Sequence, residues 1–283
     1  MISETFDNNL HHLASTYLRP HPIMIGIDRI KSLEHTNKLD AMIKYMTPHS
    51  TIPDTINMDS LIQCYTVADT RTKIAHILSI LIQNKDKKII LFASFGKAVE
   101  VMSNLFVKMG INVISLHDGM SKEQRDTAFI VMNNALTGVL IATDDAALEF
   151  DFQNVDLIVQ FDIPSDIYRY LNRVGKTAKE GRVGTAIVVS TPSEMDSVMF
   201  TRLEMSVNKK LSFFPPPSDA EIQLIQIKIS NHVVNDDMLM RDIESMIHLY
   251  YVSFSANAKH LGLSNGDFVA DSMRLSFGVS SVL

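Results

Sequence analysis

One short basic segment, residues 172–182, holds residue types well suited to bind phosphate oxygens. It reads NRVGKTAKEGR and places four cations three residues apart, with two glycines among them: Arg173, Lys176, Lys179 and Arg182. Cations at this spacing lie on one side of a helical turn, and glycine lets backbone N–H groups approach a ligand closely. The spacing predicts that the four side chains converge on an anion, whereas a charged segment considered alone often only faces water.

The elements that must position this segment are short apolar runs alternating with helical patterns. The runs are typical of strands buried on both faces and cover Lys88–Ala93, Asn112–Leu116, Thr137–Ala142, Val155–Phe161 and Thr185–Ser190. The helical patterns cover Thr70–Asn84, Lys97–Met109, Ser121 to about Ala135, and Pro192 to about Val207. This alternation predicts an α/β fold with a doubly wound, mostly parallel sheet flanked by helices.

Three further polar segments follow predicted strands. They are Phe92–Phe95, His117–Ser121 with Arg125 beyond it, and Ile141–Ala147 with Phe150 and Asp151 after it. Ligands of doubly wound sheets bind beyond the carboxyl ends of the strands. We therefore expect these segments and the basic segment to share one edge of the sheet.

In chain order, the four segments resemble the motifs of the C-terminal RecA-like domain of DEAD-box ATP-dependent RNA helicases. Phe92–Phe95 resembles motif IV, and His117–Arg125 the HG-containing motif with its Gln-x-x-Arg extension. Residues 142–151 resemble motif V (ATDxAARGxD), and residues 172–182 motif VI (HRxGRxxR). Ser3–Thr5 resembles motif III of a first RecA-like domain, so the likeness covers about residues 1–210. It implies a RecA-like fold for the sheet domain.

The resemblance implies a ligand for each of two sets of residues. Those expected near RNA are Phe95, Gly119, Arg125, Thr143 and Arg173. Those expected to face a nucleotide, held mainly by a first RecA-like domain, are Glu149, Asp151, Arg173, Gly175, Lys176 and Lys179. RNA is therefore the expected partner.

Departures from the family pattern concentrate on the nucleotide-facing set. Leu148-Glu149 replaces the Arg-Gly of motif V, which puts a carboxylate where glycine approaches the nucleotide. Lys176 and Lys179 replace the two arginines that act as fingers, and lysine lacks the planar bidentate fork of arginine. We therefore expect no intact catalytic residue in this segment.

The two motifs that hold ATP and Mg²⁺ in such enzymes do not occur in the sequence. It contains neither GxxxxGK[ST] nor a DExD tetrapeptide after a strand. The scattered histidines also give no metal-binding spacing. We expect no cofactor to be bound by this chain alone, and ATP with Mg²⁺ only if a first RecA-like domain is supplied.

The flanks divide the chain into four predicted regions. Residues 1–28 resemble the end of a first RecA-like domain, 29–60 a linker or insertion, 61–212 the helicase C-terminal domain, and 218–283 a helical extension. A stiff proline-rich linker, residues 213–218, separates the last two. The extension has eight acidic and four basic residues, a net charge of −4, which suits protein contacts better than phosphate. Tyr250 and Tyr251 in it could stack on bases, but their helical spacing favours a role in the core.

Composition sets the remaining limits. The 283 residues carry a formal net charge of −6, so phosphate binding has to come from a local basic patch. A single cysteine, Cys64, lies in the apolar run Leu61–Val67 and is expected to be a buried strand thiol. It excludes a disulfide framework and indicates a reducing intracellular compartment, whether mitochondrial, cytoplasmic or nuclear. No stretch reaches the roughly 20 apolar residues that cross a bilayer, so no membrane partner is expected.

Three functions are compatible with these observations. The first is a degenerate helicase-like protein that binds RNA or acts as a non-catalytic scaffold in a ribonucleoprotein assembly. The alternative is the C-terminal half of an active ATP-dependent RNA helicase, completed by a first RecA-like domain; the unpaired strand predicted at Ile23–Ile27 favours it. The third is a protein-docking module without RNA that uses the acidic helical tail. Protein partners are expected through this tail and through residues 1–28.

Overall fold

The computed structural model describes residues 60–164, 166–195, 211–261, 274 and 276–279. The predicted remnant of a first RecA-like domain at the N-terminus, including the strand predicted at Ile23–Ile27, and nearly all of the predicted linker after it lie outside the described residues. The same holds for the predicted helix beyond Met195 and for most of the helix predicted from Gly266 to Phe277.

Strands and helices alternate along the described residues, largely as the sequence predicts. The strands are β1 (Leu61–Val67), β2 (Lys88–Phe92), β3 (Val113–Leu116), β4 (Gly138–Ala142), β5 (Leu157–Gln160), β6 (Gly184–Ser190) and β7 (Ser212–Phe213). The helices are α1 (Lys73–Gln83), α2 (Gly96–Lys108), α3 (Lys122–Asn134), α4 (Asp144–Leu148), α5 (Ile167–Val174), α6 (Pro192–Met195), α7 (Asp219–Val234) and α8 (Asp237–Leu261). The sequence analysis missed α4, because five residues are too short to show helical periodicity.

The seven strands form one sheet in the order β3-β4-β2-β5-β6-β1-β7, and every neighbouring pair is parallel. Ile90 in the middle of β2 pairs with Leu140 on one side and with Ile158 on the other. All five residues of β2 are buried, as expected for a central strand covered by helices on both faces. The predicted doubly wound parallel sheet is confirmed, and the carboxyl ends of all strands lie at the same edge.

The start of α3 follows from its sequence. Ser121 accepts a hydrogen bond from the backbone N–H of Gln124, and the Gln124 side chain accepts one from the backbone N–H of Ser121. This reciprocal capping box satisfies two backbone donors that a helix start leaves unpaired. The predicted beginning of this helix is therefore confirmed, and it fixes the direction in which Arg125 leaves the first turn.

One hydrophobic core runs through the sheet domain and the C-terminal helices. Helix α7 contributes Ile222, Ile225, Ile229 and Val233, and α8 contributes Leu239, Ile243, Met246, Ile247 and Tyr250, to the cluster that contains the buried residues of α1 and α2. Strand β7 pairs with β1 at Cys64–Ser212, and Cys64 is buried as expected. The proline-rich segment 213–218 is predicted to be a domain boundary, whereas the core continues across it. The physical reason is that the apolar faces of α7 and α8 are covered by α1 and α2.

Tyr250 of helix α8 contacts residues at the edge of the sheet where the carboxyl ends of the strands lie. The Tyr250 hydroxyl donates to Asp162 Oδ2 at 2.8 Å, and the same oxygen accepts from the Ser94 backbone N–H at 2.9 Å. The Tyr250 ring packs edge-on against Phe95, with ring centroids 4.8 Å apart. Burial raises the pKa of the Asp162 carboxyl, which lies fully inside the protein. Tyr250 is therefore a core residue, as predicted, and it also supports the turn after β2. The same prediction is wrong for Tyr251, which is exposed because it points away from the face of α8 that packs on the core.

Replacing Tyr250 with phenylalanine tests this support. Tyr250→Phe keeps the ring and removes one donor to a buried carboxyl, so we expect the free energy of unfolding to fall by about 1–3 kcal/mol. Urea denaturation followed by circular dichroism measures the change. Tyr251→Phe is the matched control, because Tyr251 is exposed in the next position of the same helix. Equal effects of the two substitutions would contradict the assignment.

Candidate functional site

Three turns that carry expected RNA-facing residues lie side by side at the carboxyl edge of the sheet. Phe95, Gly119 and Thr143 follow β2, β3 and β4, which are neighbours in the order β3-β4-β2. Backbone hydrogen bonds tie the turns together, from the N–H of Ala93 to the Ala142 carbonyl at 3.0 Å and from the N–H of Thr143 to the Leu116 carbonyl at 3.1 Å. The structure thus brings together three turns that are far apart in the sequence.

His117 sets the spacing between two of these turns. Its imidazole is buried and lies so close to Gly96 and Gly119 that a Cβ on either glycine would come within 3.0 and 3.1 Å of His117 Nδ1. A Cβ at either position would be closer than ordinary van der Waals contact, so the His117 ring would have to shift by a few tenths of an ångström. The motifs in the sequence give Gly96 no such role, although a glycine at the first residue of a helix is a usable signal for close approach.

Thr143 has a polar atom that the protein does not use. It is the residue before the first turn of α4, is only 4% exposed, and its Oγ1 has no hydrogen-bond partner within the described residues. A buried hydroxyl without a partner costs free energy unless a ligand or water satisfies it. The Thr143 hydroxyl therefore lies at this edge without a partner among the described residues, although it is covered from solvent. The half-buried ring of Phe95 packs against Tyr250.

Arg125 from α3 is held by Glu149, the residue that directly follows α4. The Arg125 Nε donates to Glu149 Oε2 at 3.2 Å and a terminal nitrogen donates to Oε1 at 3.3 Å, while the other terminal nitrogen donates to the Met120 carbonyl at 2.8 Å. The family resemblance implies that Arg125 lies near RNA and Glu149 near a nucleotide. The structure instead joins them in one ion pair, because α3 and the end of α4 lie next to each other.

Arg173 lies inside the protein. It is 1% exposed, and its guanidinium donates two hydrogen bonds to the Asp144 carboxylate at 2.6 and 2.8 Å, one to the Asp162 carbonyl at 2.7 Å and one to Gln160 at 3.3 Å. This corrects the expectation that its guanidinium faces RNA or a nucleotide. A lone guanidinium is too costly to bury, so the protein surrounds this one with acceptors.

The remaining cations of the basic segment hold the loop between α4 and β5. Lys176 Nζ donates to the Phe150 carbonyl at 2.8 Å, Lys179 Nζ bonds to the Asp151 carboxylate and donates to the Phe152 carbonyl at 3.1 Å, and Arg182 bonds to Asn154 and Asp156. The prediction that the four cations converge on one anion is therefore wrong for the described structure. Their nearest acceptors are oxygens of this loop.

The turn that follows α5 needs a close approach to β6. The Thr177 hydroxyl donates to the Val155 carbonyl at 2.6 Å, and a Cβ on Gly184 would overlap Thr177 Oγ1 and the Ala178 backbone nitrogen. Gly175 ends α5 with ordinary helical dihedrals and contributes its backbone N–H to Leu171 at 2.8 Å. Gly184 is the glycine that this close approach requires, and Gly175 serves as a helix cap.

Two ionisable groups of the nucleotide-facing set have shifted pKa values. Burial and, to a smaller extent, the neighbouring Lys179 charge together lower the pKa of Lys176 to about 8, while Asp151 opposes the change. The hydrogen bond from Lys179 lowers the pKa of the exposed Asp151 carboxyl. A lysine ammonium with this pKa carries a charge that varies in the neutral to mildly alkaline range.

Metal binding and membrane insertion find no support in the described residues. No group of three or more His, Cys, Asp or Glu side chains there could hold a metal ion. In the same stretch of the chain, no helix combines the length and apolarity needed to cross a bilayer.

The sequence of this chain is similar to those of known helicases. Residues 72–181 match the model of the helicase conserved C-terminal domain. The chain is 27% identical over 237 residues to the probable ATP-dependent RNA helicase pitchoune of Drosophila melanogaster, covering 83% of this chain and 32% of that protein. It is 32% identical over 162 residues to the ATP-dependent rRNA helicase RRP3 of Yarrowia lipolytica, covering 57% and 33%. The chain thus spans about a third of the length of these curated relatives.

A solved structure supports the fold. Domain 2 of the DEAD-box helicase Mss116p, determined bound to an RNA duplex, superposes with a TM-score of 0.62 and 19% identity, covering 77% of this chain and 85% of that one. At this identity the likeness concerns the fold, and it confirms the RecA-like architecture expected from the sequence.

The buried Arg173 gives a stability prediction. Arg173→Ala leaves the buried Asp144 carboxylate without its main partner, so we expect the free energy of unfolding to fall by about 3–5 kcal/mol. Urea denaturation measures the loss. Arg169→Ala is the control, since Arg169 lies on the same helix and within 3.5 Å of Asp144 but is much more exposed; we expect it to cost less than about 1 kcal/mol. A loss from Arg173→Ala no larger than the control's would sink the internal role of this arginine.

The lowered pKa of Lys176 can be observed directly. In the chain labelled with ¹³C at lysine Cε, we expect one signal to titrate with a pKa of about 8, against the ordinary 10.5, and to disappear in Lys176→Arg. Below pH 8 the folded state pays for a buried charge, so the contribution of Lys176 to stability rises as the pH increases from about 8 to 10.5. Lys179→Arg should retain the signal. Lysine signals that all titrate together near their ordinary value would refute the shift.

Proposed function

From the match of residues 72–181 to the helicase conserved C-terminal domain, we propose that the chain is the second RecA-like half of an ATP-dependent RNA helicase of the DEAD-box type. In this proposal a first RecA-like domain holds ATP and Mg²⁺, and the two domains close on RNA together. The observation that carries the proposal is the shared edge where the turns bearing Phe95, Gly119 and Thr143 meet. Arg125 on α3 supplies a cation beside it.

The RNA side of the proposal rests on chemistry available at that edge. Backbone turns held in register, an unpartnered Thr143 hydroxyl and an arginine are groups that bind a sugar-phosphate backbone without reading sequence. The protein as a whole is acidic, so this contact has to be local. We expect it to be independent of base sequence and sensitive to salt.

The nucleotide side of the proposal uses Lys176 and Lys179. Both ammonium groups lie on the loop that contains Asp151, where they could reach the phosphates of a nucleotide presented by a first domain. The residues of this chain fit only a portion of such a site, since the sequence contains no phosphate-binding GxxxxGK[ST] loop. ATP bound between the two domains would supply the phosphoryl-transfer chemistry; these lysines would place positive charge beside it.

The lysines also motivate a second candidate, a non-catalytic RNA-binding or scaffold component of a ribonucleoprotein assembly. Lysine lacks the bidentate geometry of the arginines at the matching family positions, and an arginine finger contributes roughly 10³–10⁵ in turnover. The ATP-dependent relatives favour the enzyme half over this alternative. The two candidates share RNA binding and differ in turnover.

Two measurements test the proposal. Filter binding to single-stranded RNA should weaken steeply as salt rises, and Arg125→Ala should lower the affinity and make the plot of log K against log salt less steep by about 0.7 for one lost phosphate contact. Arg241→Ala, which removes an exposed arginine on α8 that the proposed interface does not include, is the matched control and should change neither quantity. The RNA interface would be rejected if the affinity did not change with salt concentration, or if the Arg125 variant bound RNA like the control.

Turnover separates the two candidates. ATPase activity should be at background for the chain alone and should appear, stimulated by RNA, when a first RecA-like domain from a DEAD-box helicase is added. Lys176→Ala should reduce that added activity. RNA binding without activity in the mixture would favour the scaffold candidate.

A further inference from the structure

The Arg125–Glu149 ion pair joins an arginine of the proposed RNA interface to a carboxylate, a group that has the same charge sign as an RNA phosphate. Both Glu149 oxygens accept from the guanidinium, at 3.2 and 3.3 Å. This is the same two-point geometry in which arginine binds a phosphate. One edge of the Arg125 fork is therefore filled by the protein itself, and a phosphate that approaches that edge meets a carboxylate.

The fold holds this pair in place. The capping box at Ser121 fixes the first turn of α3, and Glu149 directly follows the last residue of α4. One helical turn beyond Arg125, Phe129 stacks on Phe150, the residue after Glu149, with ring centroids 4.9 Å apart and ring planes inclined by 15°. This stacking keeps α3 against the end of α4, so the two charged side chains lose little additional freedom when they pair.

The pair is nevertheless weak enough to open. The Glu149 side chain is 49% exposed, and that of Arg125 is 18% exposed. Ion pairs of this kind contribute little to stability because water and salt screen them. A phosphate can therefore replace Glu149 on the guanidinium without unfolding the site.

We propose that Glu149 is an internal competitor that occupies Arg125 in the free chain and must be displaced when RNA binds. This inference rests on the proposed function and adds a residue that sets the strength of the RNA contact. RNA binding then exchanges one partner of Arg125 for another. The net binding free energy gained from this contact is therefore smaller than it would be for an unpaired arginine. The released Glu149 carboxylate turns to solvent, which its exposure permits. Glu149 acts in this way on the RNA side of the domain, not on the nucleotide side.

A double-mutant cycle on the full chain tests the competition. We expect Glu149→Gln to tighten binding to single-stranded RNA by about two- to fivefold, because glutamine is a weaker partner for Arg125. In an Arg125→Ala background the same substitution should give a smaller gain, since no guanidinium remains to be released. Glu123→Gln is the matched control: it removes one negative charge from an exposed position on α3, and its effect should not depend on Arg125. Circular dichroism establishes that each variant is folded.

The outcomes separate this inference from the proposed function. If Glu149→Gln tightens binding equally or more in the Arg125→Ala background, the carboxylate only repels RNA through space and the competition is rejected. If Glu149→Gln behaves like Glu123→Gln, the competition is also rejected while the RNA interface stands. If the unaltered chain shows no salt-dependent RNA binding, the proposed function fails and the competition fails with it.

Discussion

The buried Arg173 guanidinium is the interaction on which the functional edge depends. It bonds the Asp144 carboxylate after β4, and it bonds the Asp162 carbonyl and the Gln160 side chain at the end of β5. One charged group thereby ties together turns from two strands that are not neighbours in the sheet. Its desolvation is costly, and only the full set of acceptors offsets that cost. The positions of Thr143 and of α4, which follow β4, depend on this arrangement.

The same constraint decides how the other cations of the basic segment are used. Once Arg173 turns inward, Lys176 and Lys179 lie over the loop between α4 and β5 and bond to its oxygens. Their positive charge therefore has two roles, since it shapes the loop and stays close to where a nucleotide could be presented. A partly buried ammonium such as that of Lys176 has a lowered pKa, which an arginine at the same place would not have in this range.

The C-terminal helices belong to the same physical body as the sheet. Tyr250 of α8 donates to Asp162, and Asp162 accepts from Ser94 at the start of the turn that carries Phe95. Lys97 on α2 and Asp242 on α8 form a further ion pair at 2.6 Å. A shift in the position of α8 would therefore also move the turn after β2. The acidic helical segment, which a proline-rich linker separates from the sheet domain in the sequence, thus supports one side of the proposed RNA interface.

The amino-acid sequence alone determined the alternation of strands and helices, the capping box at Ser121, the buried Cys64 and the motif order that identified the helicase fold, because these follow from local periodicity and residue type. Only the tertiary structure decided which partner each charge takes. Arg125 and Glu149 are 24 positions apart, Arg173 and Asp144 are 29 apart, and Tyr250 and Asp162 are 88 apart. Spacing along the chain carries no information about such pairs, since an ion pair or a buried hydrogen bond is selected by distance and desolvation after the sheet has brought its strand ends together.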